Sequence, residues 1–201
     1  MIQPVKEKVL VIGAGLAGSE AAWQLARRGI AVELHEMKPA KMTSAHTSEA
    51  FAELVCSNSL RGAGLATAPG LLKEELRRCG SLIMEAADAT AVPAGGALAV
   101  DRAGFSAYVT EKLRAHPNVE ILPGRVDDIP AGPCIMATGP LTEGVLARRI
   151  DELFGGEPMH FYDAAAPIVS FESIDMDHAY FAVRSASTKA VYCSLSRGQL
   201  M

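Results

Sequence analysis

A chain of 201 residues has room for one full hydrophobic core and part of a second, because domains cluster at about 100–150 residues. Hydrophobic residues make up 49% and charged residues 21%, a soluble globular balance rather than a disordered one, and no apolar run approaches the roughly 20 residues of a membrane span. A net charge of −4 gives no global basic footprint for nucleic acid, so such a partner has to meet a local patch.

The apolar stretch VLVIGAGLAG begins too close to polar and acidic residues for a signal peptide, which predicts a cytoplasmic protein with no membrane partner. Cys56, Cys79, Cys134 and Cys193 lie far apart with no Cys-x-x-Cys pair. Neither a zinc site nor a disulfide framework follows from that spacing, so the cysteines read as free thiols and no metal is expected.

The first predicted strand, Val9 to Ile12, runs into Gly13-Ala14-Gly15-Leu16-Ala17-Gly18, a helix to Arg28, and a second strand from Ala31 to His35. Each part has a physical task in dinucleotide binding. Gly13 makes the tight turn, Gly15 lets backbone approach a pyrophosphate, and Gly18 lets helix and strand pack closely. Ala22, Leu25 and Ala26 supply the buried side of the helix, and Gly29 is placed to end it in a left-handed conformation. The N–H groups of its first turn, around Leu16 and Ala17, suit phosphate. Glu36 follows 18 residues after Gly18, where a carboxylate accepts hydrogen bonds from a ribose diol, which favours FAD or NAD over NADP.

From Met37 to Gly70 the sequence has loop character, and a loop of that length in a compact domain usually has a function or is disordered. GLLKEELRRCGSLIMEAADA then reads as one helix with Leu71, Leu72, Leu76, Cys79 and Ile83 on its apolar side, so Cys79 is assigned to the core. A Gly-Gly turn, a strand ending at Asp101, a helix from Arg102 to Ala115 and a strand from Val119 to Leu122 follow. In the next strand, CIMATGP, Cys134 is expected to be inert. ATGP, with Gly139 able to pass close to a ligand, matches the late strand of two-dinucleotide-binding flavoproteins and moves the reading from NAD to FAD.

The stretch VCSNSLRG leaves Cys56 open to two readings. Its polar neighbours lack the cover that makes most thiols inert, so it is either a reactive thiolate or a loop thiol without a role. His46 reads as a solvated loop histidine in preference to a flavin or folate contact. Arg102 is balanced between a ligand contact and a surface ion pair. Arg61, Lys73, Arg77 and Arg78 form the nearest local basic cluster, with a mixed-charge helix surface as the favoured reading over phosphate contact.

VCSNSLRG, GAGLAGSEAAWQLARRGIAVELHEMKP, VPAGGALAVDR, IMATGPLT and FYDAAAPIV together resemble the folate- and FAD-dependent tRNA uracil-5-methyltransferase family, TrmFO, over about residues 8–182. The resemblance implies an α/β, Rossmann-like FAD-binding domain of the two-dinucleotide-binding type over residues 1–155, and the start of an inserted substrate domain over residues 156–201. It implies methylation of the T-loop uridine of tRNA to 5-methyluridine, with carbon from 5,10-methylenetetrahydrofolate, FAD as cofactor and NAD(P)H as reductant. FAD is expected at Gly13, Ala14, Gly15, Leu16, Ala17, Gly18 and Glu36, with Gly139 beside it. The cysteine of the family's Val-Cys-Ser-Asn segment maps onto Cys56 as the catalytic thiol, and Tyr162 and Asp163 are expected to line the cleft.

SIDMDHAYFA still matches the family, whereas VRSASTKAVYCSLSRGQLM does not. Cys193 lies near the place of one family cysteine, the principal nucleophile has no counterpart, and the family's return segment to the FAD domain is not found. The tail is expected to be a truncated or frame-shifted end. Two rival readings share the glycines and Glu36: a GidA-type flavoprotein acting on tRNA wobble uridine, and an inactive dinucleotide-binding remnant.

Overall fold

The computed structural model describes residues 8–43, 45–155, and the backbone of two strands at 179–183 and 189–193. The chain divides into two compact units, Met1–Phe161 and Tyr162–Met201. The expected domain start at Gly156 and the residues Tyr162 and Asp163 lie outside the described residues.

The first unit is built on four parallel strands. β1 (Val9–Ile12), β2 (Val32–Glu36), β6 (Val119–Pro123) and β7 (Cys134–Met136) are ordered β6-β2-β1-β7. Val11 pairs in register with Leu34 and with Ile135, and the period of two along each strand sends these side chains to one face. There Val11, Val32 and Leu34 are fully buried against α1 (Leu16–Ala26) and α4 (Arg102–Ala115). The α1 side chains pressed into this core are Ala22 and Ala26, small enough to bring helix and sheet together. Gly29 follows with φ +80°.

α4 carries Phe105, Val109 and Leu113 at helical spacing, all with no exposed surface, and burying a side chain such as Phe105 stabilises the fold by about 1.5–3 kcal/mol. The Asp101 carboxylate caps the helix by accepting from Gly104 N at 2.6 Å, and the helix stops at His116, the residue before Pro117, where the following ring disfavours helical backbone. A second, antiparallel sheet is ordered β3-β5-β4 from β3 (Ser59–Gly62), β4 (Ala91–Val92) and β5 (Ala97–Val100). After β7 comes α5 (Val145–Leu153), an element the sequence reading did not contain. In the second unit, β8 (Ala179–Val183) and β9 (Lys189–Cys193) pair antiparallel.

The single helix expected over residues 70–89 is two: α2 (Ala68–Arg78) and α3 (Leu82–Ala89). Gly80 takes φ +67° and ends the first. The hydroxyl of Ser81 accepts from Met84 N at 3.1 Å and starts the second. The break overturns the assignment of Cys79 to the core. Cys79 is exposed, as are Leu71 and Leu72, while Leu82, Met84, Ala86 and Ala87 of α3 fill the core. The stretch from Met37 to Gly70 contains β3 and an apolar anchor, for Phe51, Ala52 and Leu54 are buried. Phe51 N donates to Thr110 Oγ1 at 2.8 Å and Ala52 N to Ala14 O at 2.8 Å.

Candidate functional site

The turn between β1 and α1 is held by backbone contacts that leave no room for side chains at two of its three glycines. Gly13 has φ +97°, donates its N–H to His35 O at 2.8 Å, and would put a Cβ 2.5 Å from Ala137 O. A Cβ on Gly18 would collide with the carbonyl oxygen of Gly13. Gly15 differs: nothing lies within 4 Å of its Cβ position. Two glycines close the turn from inside and the third leaves its outer face open, beside helix N–H groups that have no intrahelical acceptor.

Glu36 ends β2 beneath this turn and is 6% exposed. Its Oε2 accepts from Ala14 N at 2.8 Å and its Oε1 from Lys38 N at 2.9 Å. Both oxygens are thereby fixed, and each retains a lone pair for a further donor. A cavity of about 380 Å³ opens at this point, lined by Gly13, Gly15, Leu16, Ala17, Glu36 and Gly139. Ala14 and Gly18 stand behind it, the first holding Glu36 and the second packing on Gly13. Thr138 and Thr142 shape the β7 side: their hydroxyls lie 2.7 Å apart and Thr142 Oγ1 donates to Gly139 O at 2.7 Å.

His46, read from sequence as a solvated loop histidine, is half-buried and lines the cavity, its Nδ1 2.6 Å from Thr43 Oγ1. Lys38, Lys41, Glu53, Arg125 and Glu143 also line it, and the sequence reading assigned none of them. Lys41 Nζ and Glu143 Oε1 pair at 2.8 Å between the loops that follow β2 and β7. Lysine 41 and glutamate 143 are 102 positions apart, and nothing local in the sequence relates them.

Cys56 is exposed and lies just past cavity-lining Val55, without itself lining the cavity. Arg102 Nη2 donates to Cys56 O at 3.1 Å, so this guanidinium supports the thiol-bearing backbone. Two members of the basic cluster, Arg77 and Arg78, sit in a mixed-charge surface. Arg77 is bidentate on Asp88 with both contacts at 2.7 Å, Arg78 reaches Glu74 at 3.1 Å, and Lys73 donates to Gly62 O and Pro69 O at 3.0 Å. Burial, with the nearby charges of Arg77 and Arg61, pushes the Lys73 ammonium below its ordinary range.

Among the described residues no group of three or more His, Cys, Asp or Glu side chains is placed to hold a metal ion. No described helix is long and apolar enough to cross a membrane.

The family profile described as glucose inhibited division protein A matches residues 8–200. A relative from Heliobacterium modesticaldum, named methylenetetrahydrofolate–tRNA-(uracil-5-)-methyltransferase TrmFO, is 60% identical over 92% of this chain and 42% of its own length. The TrmFO of Listeria monocytogenes is 55% identical over 96% of this chain and 45% of its own length. The chain thus spans less than half the length of these curated relatives. Among solved structures, Aquifex aeolicus GidA matches with 22% identity and a TM-score of 0.50 over 66% of this chain and 22% of that one, a likeness of fold. With the profile covering all but its first seven residues and its last, the chain belongs to the glucose inhibited division protein A family, and TrmFO proteins are among the curated relatives it matches.

Proposed function

We propose that the chain binds FAD at the glycine turn and serves methylation of the T-loop uridine of tRNA at C5, with 5,10-methylenetetrahydrofolate as carbon donor and NAD(P)H as reductant, in the cytoplasm. The observation that carries this reading is the open face of Gly15 above the buried, doubly hydrogen-bonded Glu36, both on the wall of one cavity. A dinucleotide needs those two features together: a backbone surface that a pyrophosphate can approach and a fixed acceptor for a ribose diol. The volume lies in the range of small-molecule sites. The names of the matched relatives supply the folate and tRNA part of the reading.

The residues divide the work as follows. The N–H groups at the start of α1 hold pyrophosphate, Glu36 orients the ribose, and the Thr138–Thr142 turn keeps Gly139 against the ligand. FAD, when bound, supplies the redox chemistry by which a one-carbon unit becomes a methyl group. Cys56 is the proposed reactive thiol, exposed and held by Arg102 on a loop that continues from the cavity wall. A thiolate of this kind adds to an electron-poor ring or shields such an adduct.

The test is transfer of label from methylenetetrahydrofolate to tRNA by the purified chain with FAD and NAD(P)H. Folate-dependent 5-methyluridine supports the reading. Transfer from S-adenosylmethionine, with no response to folate or flavin, would overturn it.

A further inference from the structure

We propose that Lys38 and Glu53 form a buried charge clamp that fixes the loop bearing His46, Val55 and Cys56 relative to Glu36, so that a nucleotide seated at Glu36 alters the reactivity of the Cys56 thiol. The link to the nucleotide rests on the FAD reading above. The clamp itself stands on the geometry of the loop.

The side chains of Lys38 and Glu53 are 4% and 11% exposed, and Nζ and Oε2 are 3.9 Å apart. Between them sits the turn Thr47–Ala50, whose polar groups are shared out by sign. Its carbonyls face the cation: Lys38 Nζ donates to Ser48 O at 3.3 Å and to Ala50 O at 2.5 Å. The donors of Thr47 and Ser48 face the anion: Glu53 Oε1 accepts from Thr47 N and Thr47 Oγ1, both at 2.9 Å, and from Ser48 N at 3.2 Å, while Ala50 N donates within the turn to Ser48 Oγ. Removing either charge leaves the other buried with its partner lost.

A buried ion pair is costly to desolvate and is weak evidence for net stability. Its usefulness here lies in fixing one arrangement of the turn Thr47–Ala50, which has no large apolar side chain of its own and precedes the anchor at Phe51, Ala52 and Leu54. The clamp is also continuous with the site. The backbone N–H of Lys38 donates to Glu36 Oε1, and Lys38 and Glu53 both line the cavity. Beyond the turn, Phe51 N donates to Thr110 and Ala52 N to Ala14 O, and Ala14 N donates in turn to Glu36, so the segment that runs on to Val55 and Cys56 is joined to the site through backbone hydrogen bonds. Lys38 and Glu53 are therefore positioning residues, acting through the loop rather than on a reacting atom.

The experiment is peptide-mapped iodoacetamide labelling of the chain with and without saturating FAD, with bound flavin followed by absorbance in the same samples. Exposed Cys79, on the link between α2 and α3, is the internal reference for global unfolding. The expected result is a change of at least about fivefold in the Cys56:Cys79 rate ratio on FAD binding by the wild type. In Lys38→Met with flavin bound, the ratio no longer responds to FAD, and Lys38→Arg recovers the response. A wild-type response in flavin-loaded Lys38→Met, or no response in the flavin-loaded wild type, would overturn the proposal.

Should Lys38→Met unfold, with Cys56 and Cys79 accelerating together, Glu53→Gln replaces it and is read by the same two outcomes, since it removes the other charge of the pair and keeps the side chain's size. Absence of bound flavin in the wild type overturns the FAD reading instead. The clamp is then judged on nucleotide-free protein, where an unchanged Cys56:Cys79 ratio in both Lys38→Met and Glu53→Gln overturns it.

Discussion

Gly18 is stacked on the peptide of Gly13 so closely that a Cβ at Gly18 would strike the Gly13 carbonyl oxygen, whereas Gly15, between them in sequence, faces open space. The three glycines therefore do different things, and substitutions separate them. Gly18→Val forces backbone apart and is expected to destabilise by about 1–3 kcal/mol or more. Gly15 has φ −69°, which any L-residue adopts, so Gly15→Val is expected to fold, with a Tm lowered only by the poorer helix N-cap, and to lose FAD. Thermal unfolding and flavin titration on the same two variants check this.

Glu36 is the second half of the site. Glu36→Gln keeps size but replaces one acceptor oxygen, now receiving an N–H from Ala14 or Lys38, with a donor. Hydrogen bonds to a charged acceptor contribute about 1.5–3 kcal/mol, so a rise in the FAD Kd of about 10- to 100-fold is expected in a fluorescence-quenching titration.

Glu53 gives the loop a pH dependence with a defined sign. Burial raises its pKa, but hydrogen bonds from Thr47 and Ser48 and the charge of Lys38 outweigh burial and leave the carboxyl below its ordinary range. A depressed carboxylate stabilises the fold fully above the unfolded pKa of about 4.3 and loses that contribution as pH falls through the lower folded value. The stability advantage of wild type over Glu53→Gln should be constant from pH 7 to about 5 and shrink on further acidification. Urea midpoints measured across that range are the check.

Gly80 marks the helix break. It has φ +67°, and a Cβ there would meet the guanidinium of Arg27, which donates to the carbonyls of Cys79 at 3.0 Å and of Gly80 at 2.6 Å. Gly80→Ala is expected to cost at least the 1–2 kcal/mol or so of a left-handed non-glycine residue. A lowered Tm with unchanged FAD affinity would show that the break is structural and remote from the site.

Much of the site was legible in the sequence because backbone requirements write themselves as residue types. The order strand, three glycines, helix, strand, acid predicts a tight turn over a carboxylate, and the structure brings Gly13, Gly15 and Glu36 to one cavity. The helix at Arg102–Ala115 was legible for a similar reason: Asp101 caps it and Pro117 stops it. What was not legible is whatever long-range packing decides. Leu71, Leu72, Leu76, Cys79 and Ile83 keep helical spacing across a break that Gly80 imposes, so period alone joined two helices. Lys38 and Glu53 look like surface charges until the fold buries them on opposite sides of one turn. Val145–Leu153 does carry Leu146, Ile150 and Leu153 at helical spacing, and its start lacks a capping side chain, since Gly144 precedes it.

The most direct test of FAD binding at the glycine turn is the visible absorbance of the purified chain after incubation with FAD and desalting, beside Gly15→Val treated alike. Flavin absorbance retained by the wild type and absent from the variant is the expected result. A folded wild-type chain that retains no flavin, or a variant that retains as much, would contradict binding at this turn.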